Sequence, residues 1–206
     1  MTADSTFQPN FESSRVFRHY STKYKTRSYT TDEFVKEKVG CPLTSETLAG
    51  SSTIGYRSLT MYFIDPYHFE YHPIIEEDYI NDNYSITFFR LGDGLLGHDG
   101  IVHGGLSATL LDELTCRLAF QNYKLKKAVT ANLNINYRQP VITNTFVLVK
   151  CRLLRKEGRK CWVQGTVYRI NLDEDPEFVE SKENILIEAE VLVIEPKWVH
   201  QLQNQV

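Results

Sequence analysis

Apolar residues between positions 104 and 123 recur every three or four residues, whereas those further along alternate or come in short runs. At about 100° per residue, Leu106, Leu110, Leu111, Leu114 and Leu118 gather on one broad stripe, which predicts a long helix from Gly104 to Tyr123. It is apolar over most of its circumference, as a buried helix would be. Residues 130–138, Thr-Ala-Asn-Leu-Asn-Ile-Asn-Tyr-Arg, alternate without a break and predict a strand with one wet or ligand-facing side, ended by Pro140. Phe146–Leu154 and Cys161–Ile170 predict two strands joined by a hairpin turn at Lys156-Glu-Gly-Arg159. Ile185–Ile194 predicts the last strand, with Pro196 closing the domain. Thr60–Ile64 and Tyr84–Leu91 also read as strands. The Tyr-, His- and acid-rich run between them, 65–83, reads as a lid or a long connection. Further upstream the pattern holds a short helix, Asp32–Val39, and a Gly/Ser/Thr-rich linker through Thr53.

One apolar helix followed by four strands with hairpin-length connections predicts an α+β fold, an antiparallel sheet wrapped around the helix. The chain divides into an N-terminal extension (1–54), one domain (55–196) and a short tail (197–206). Its 206 residues, 42% hydrophobic, suffice for a real core. A net charge of −3 gives no general attraction to nucleic acid. No apolar run approaches the roughly 20 residues of a membrane-spanning helix. Cys41, Cys116, Cys151 and Cys161 have no paired spacing and are expected to be free thiols, as in an intracellular protein. The Asn83-Tyr-Ser85 sequon would then be idle.

Charge is uneven along the chain. From Arg15 to Thr30 there are five basic residues, no acidic ones and many hydroxyls. That composition is the one found in mitochondrial presequences, and Arg18-His-Tyr-Ser21 has the form of a cleavage site; a plain basic tail, and a cytoplasmic protein, is the alternative. Residues 138–169 hold eight Lys/Arg against Glu157, a net of +7, and residues 173–190 hold eight Asp/Glu against Lys182, a net of −7. The basic hairpin tip (Arg155, Lys156, Arg159, Lys160) suits phosphate groups, while the acidic run reads as an exposed loop without chemistry.

The candidate chemistry lies in residues 97–112, Gly-His-Asp-Gly-Ile-Val-His-Gly-Gly-Leu-Ser-Ala-Thr-Leu-Leu-Asp. Gly104 and Gly105 carry no Cβ, so a ligand can approach their N–H groups. At a helix start those groups are unpaired donors at the positive end of the dipole, suited to an oxyanion. Asp112 lies off the leucine stripe, among Gly105, Ala108, Cys116 and Ala119, on a narrow face where another chain or a substrate can come close. Glu113 and Arg117 form an i,i+4 pair suited to a wetter face. Other motifs fit poorly. Gly92-Asp-Gly-Leu-Leu-Gly97 satisfies a dinucleotide fingerprint, but further glycines interrupt the helix it needs. Gly105-Leu-Ser-Ala-Thr109 lacks the last glycine of a nucleophile elbow, and His68 with His72 has metal-like spacing but no third ligand.

Three blocks together, Gly100–Asp112, Val129–Arg138 and Glu157–Lys160, resemble the hotdog-fold acyl-CoA thioesterases, in particular the mitochondrial long-chain enzymes and their fungal relatives. The likeness covers roughly residues 55–196. It implies a homodimer joined sheet edge to sheet edge, with dimers pairing further in some members, and an active site between the His-Gly-Gly segment of one subunit and the helix carboxylate of the other. Carried over, the Gly104 N–H polarises the thioester carbonyl, and Asp112 is general base or nucleophile. Thr130 orients water, while His103 shapes the glycine turn or contacts substrate. Gly105, His98 and Asn132 line the substrate site, and Arg159 and Lys160 meet the CoA phosphates. No metal or separate cofactor is implied, since CoA arrives as part of the substrate. Several family members carry an amide six residues before the histidine, where this chain has Gly97; His98 or a backbone group is the expected replacement. That departure keeps a second reading open, a hotdog protein that binds acyl-CoA but turns it over poorly.

Overall fold

A computed structural model of the chain describes residues 11–27, 43–64, 83–123 and 126–198. Nine strands and three α-helices appear among them. Helix α1 is Arg15–Arg27, α2 is Gly104–Gln121 and α3 is Pro176–Val179. The strands are β1 Ile54–Arg57, β2 Met61–Phe63, β3 Tyr84–Leu91, β4 Leu96–His98, β5 Ile101–Val102, β6 Val129–Tyr137, β7 Thr145–Glu157, β8 Lys160–Ile170 and β9 Ile185–Ile194. Seven of them form one antiparallel sheet in the order β1-β3-β7-β8-β9-β6, with β2 also on β3; β4 and β5 make a small hairpin. The sheet wraps α2, as the pattern predicts. The short strands β1, β4 and β5 escape a reading by alternation, because two to four residues carry too little periodicity. The helix expected at Asp32–Val39 and nearly all of the 65–83 segment, including His68 and His72, lie outside the described residues.

Burial follows the leucine stripe. Leu106, Leu110, Leu111, Leu114 and Leu118 are each no more than 8% exposed and pack on Val147, Val149, Leu153, Val163, Val191 and Val193 from the sheet. Close approach is possible where β8 has Gly165, since a Cβ there would stand 2.6 Å from Leu111 Cδ2. The β7–β8 connection is two residues, Gly158-Arg159, and Gly158 has φ +53, the left-handed value such a turn requires.

The outer face of the sheet is covered on the β1–β3–β7 side. Phe11, Val16 and Tyr20 bury themselves there against Tyr56, Phe88 and Phe146, with Phe11 stacked on Phe146 at 4.4 Å between centroids. The described part of the basic N-terminal segment is therefore a docked helix rather than a plain tail. Tyr20, inside the candidate cleavage motif, is 3% exposed and donates to Glu180 at 2.9 Å. Glu180 also pairs with Lys150. The acidic run at 173–190 thus differs from an idle exposed loop: it contains α3, buries Val179 and Asn184, and fastens α1 to the sheet. Phe11→Ala is expected to cost about 3–5 kcal/mol, the usual loss for a buried phenylalanine, read from the denaturant midpoint; a change near zero would mean that α1 is not docked in solution.

Two polar groups sit differently from expectation. Glu113 and Arg117 do pair, at 2.8 Å, but their side chains are 7% and 6% exposed. Arg57 joins at 3.0 Å, and the Thr44 hydroxyl donates to the second carboxylate oxygen. The turn at Leu43–Thr47, within the supposed linker, closes over this cluster and keeps water out. Periodicity alone could not show that cover, because it comes from a segment 69 residues away at Thr44. Asn83 of the sequon is fully buried, and its Nδ2 donates to Asn122 Oδ1 at 2.6 Å, so the folded chain hides it.

Candidate active site

The glycine turn is built by a histidine. His103 is the N-cap of α2, with φ −57 and ψ 126, and its Nδ1 accepts the Gly105 N–H at 2.9 Å. An accepting Nδ1 carries no proton, so the imidazole is the Nε2–H tautomer. The His103 carbonyl accepts from Leu106 N at 2.9 Å. These bonds use the neighbouring donors and leave one. No described residue accepts from the Gly104 N–H, which stands at the positive end of an 18-residue helix.

The opposite wall of the turn is the β4–β5 hairpin. His103 N donates to Leu95 O at 2.8 Å, drawing the histidine against Gly97. A Cβ at Gly97 would lie 2.7 Å from His103 Cα and 3.0 Å from its Cβ. The amide that the family resemblance leads one to expect at this position is therefore sterically excluded, because His103 occupies the room its side chain would need. Gly97→Asn is expected to push the hairpin off the turn, lowering stability by about 1–3 kcal/mol as overpacking does. Turnover should fall with it; a gain in turnover at unchanged melting temperature would refute this. His98 is exposed, and its Nδ1 accepts from Asp99 N at 2.8 Å, so only Nε2 faces outward for a ligand.

Asp112 lies two helical turns beyond Gly105, on a stripe where Gly105 is exposed and Ala108, Asp112 and Cys116 are half-buried. Ala119, expected on the same open face, is instead fully buried, since the sheet curls over the end of the helix. No described residue pairs with the Asp112 carboxylate. Cys116, one turn on, places its Sγ 2.9 Å from Thr130 Oγ1. Cys151 and Cys161 are buried and their thiols pushed up to about 12 and about 11 by desolvation, which makes them inert near neutral pH.

The contact with Thr130 depends on a bulge. Unbroken alternation would put Thr130, Asn132, Asn134 and Asn136 on one side of β6. The register against β9 shifts between Thr130 and Asn132, and the shift turns Thr130 inward beside Cys116. Leu133 and Ile135 pack on the core next to it, whereas Asn132 is exposed on the far side of the strand. Thr130 and Asp112 thus share a face, while Asn132 is separated from both. Arg159 and Lys160 are exposed at the hairpin tip, where Lys160 pairs across the sheet with Ile194 and Ile194 with Val129. The basic tip therefore sits at the Thr130 end of the sheet. Tyr123 Oη reaches the Arg159 carbonyl at 3.0 Å and Lys156 lies over its ring, so the loop carrying Lys126 and Lys127 joins the same basic surface.

The sequence agrees with this geometry. Residues 99–174 match the model of the Thioesterase superfamily. The match covers a little over a third of the chain. A mouse acyl-coenzyme A thioesterase, THEM4, is 38% identical over 87 residues, 42% of this chain and 36% of that protein. A Candida albicans protein described as uncharacterised and mitochondrial is 32% identical over 130 residues, 63% of this chain and 55% of its own length. The chain thus spans about half the length, or less, of these relatives. Among solved structures, a phenylacetic acid degradation-related protein from Ralstonia eutropha superposes with a TM-score of 0.51 over 80% of this chain and 98% of its own, at 16% identity. The match to the Thioesterase superfamily and the likeness in fold therefore fall on the same domain.

Near the glycine turn a cleft of about 310 Å3 opens, lined by Ile101, Val102, Gly104, Ser107, Tyr137 and Ile187 among others. Nothing in the residue pattern pointed to Tyr137 in this place; its ring lies at the far end of β6 yet covers the first residue of α2.

Proposed function

We propose that the protein is an acyl-CoA thioesterase, hydrolysing a fatty acyl thioester to free acid and CoA. The carrying observation is a pair of groups on α2 that no described residue takes up: the Gly104 N–H and the Asp112 carboxylate. They lie eight residues apart on one helix, about 12 Å along its axis at 1.5 Å per residue. One thioester group cannot meet both within a single chain. Strand β6 supplies the remedy. It ends the sheet with its outer edge unpaired among the described residues, and Val129 and Tyr137 on it are 37% and 55% exposed. An exposed nine-residue edge of this kind is open to pairing with a second copy. Two antiparallel copies of β6 related by a twofold axis set the Tyr137 end of one beside the Thr130 end of the other.

In that dimer the carbonyl of the substrate accepts from Gly104 N–H of one protomer. Asp112 of the other takes a proton from water, with Thr130 orienting it, and the resulting hydroxide attacks the thioester carbon. The carbonyl oxygen gains charge toward the Gly104 donor; the C–S bond then breaks and the CoA sulfur leaves with a proton. Arg159 and Lys160, at the Thr130 end, meet the phosphates of CoA, with Lys126, Lys127 and Lys156 adding to the same surface. His103 sets the turn and takes no proton from water. The mitochondrion is the proposed location, supported by the fungal relative described as mitochondrial.

Gly97 favours a second reading, a protein that binds acyl-CoA but turns it over slowly, since the amide expected from the family resemblance has no room here. Thiol release from short, long and aromatic acyl-CoAs separates the two. Release of thiol establishes the hydrolase. Silence across the panel, with acyl-CoA still raising the melting temperature, establishes the binder.

A further inference from the structure

The peptide between Gly104 and Gly105 is held at both ends. Its N–H is taken by His103 Nδ1 at 2.9 Å, and its carbonyl oxygen accepts from Tyr137 Oη at 2.9 Å. The Tyr137 ring also stands where a side chain on Gly104 would begin, with ring atoms 3.3 to 3.4 Å from that point. Two successive glycines leave the backbone free to rotate, since neither has a Cβ to restrict it. A glycine pair at a helix start therefore needs outside restraint if its first N–H is to keep one direction. His103 restrains one side of the peptide and Tyr137 the other.

We infer that Tyr137 is a positioning residue that aims the Gly104 N–H; the inference rests on the acyl-CoA thioesterase reading above. With the 104–105 peptide fixed, Gly104 keeps helical geometry and its N–H keeps its line toward the cleft. A donor already aimed where charge develops stabilises the transition state without reorganising at the moment of reaction. Tyr137 belongs to β6, so the strand proposed to pair two subunits also orders the donor.

Tyr137→Phe removes the hydroxyl and keeps the ring. Amide hydrogen exchange, followed residue by residue without substrate, is expected to quicken roughly tenfold at Gly105 and Leu106, the loss of about one hydrogen bond. Turnover is expected to fall by a similar factor for every acyl chain length, with KM within twofold and the melting temperature little changed. Tyr137→Ala, which also removes the ring, should exceed Tyr137→Phe in both readouts. Unchanged exchange in Tyr137→Phe overturns the inference whatever the turnover. A loss confined to long chains also overturns it, because that would make Tyr137 only a wall of the cleft. If the wild type releases no thiol while Tyr137→Phe exchanges faster, the restraint stands and the hydrolase reading falls.

Discussion

Asp112→Asn is expected to lower acyl-CoA turnover by roughly a thousandfold, within the range that removal of a general base produces. The amide has nearly the same size and shape but cannot take the proton from water. The carboxylate makes no pair with any described residue, so no ion pair is broken and no buried partner is stranded. The variant should remain folded, paired and able to bind acyl-CoA, with KM changed far less than kcat. Stopped thiol release beside an unchanged melting curve checks this. Turnover within tenfold of wild type would remove Asp112 from the chemistry.

The second large effect concerns the donor. Gly104→Pro deletes one N–H, and proline is well tolerated at the first position of a helix. His103, at φ −57 and ψ 126, already has the extended backbone that a following proline requires. Kcat is expected to fall by about 10²–10³, the usual consequence of losing one oxyanion donor. Gly104→Ala is the control, because it keeps the N–H and meets the Tyr137 ring at the same 3.3 Å. That ring is half-exposed and can yield, so alanine should lose far less. Equal losses in the two variants would place the effect in the ring contact instead of the donor.

Mixing the two inactive variants tests the shared site. A mixed dimer has one site with both changes and one with neither, so random exchange restores roughly a quarter of wild-type activity, since half of the dimers are mixed. Refolding the two together and measuring thiol release reads this directly. No recovery, with subunit exchange shown by mass, would confine the site to one chain.

The sequence by itself determined the periodic elements. Five leucines at helical spacing specify α2 and the face it buries, and β3, β7, β8 and β9 fall where β-branched and aromatic runs place them. The three motif blocks carried the thioesterase resemblance and its candidate residues, because glycine pairs, a lone helix carboxylate and an alternating strand leave local traces. Whatever depends on distant segments left none. The bulge in β6 decides that Thr130 meets Cys116 on α2 while Asn132 turns away, and a shift of one residue reverses every side chain beyond it. The cover from Leu43–Thr47 makes the Glu113–Arg117 pair dry, and the outer aromatic cluster makes the basic N-terminal segment a packed helix. Tyr137 meets Gly104 only because β6 runs antiparallel to α2 and ends beside its first turn. Local pattern fixes the type and face of an element, since hydrophobic burial repeats with its geometry. Which side chains from different elements meet is set by register and packing, and only the tertiary structure decides those.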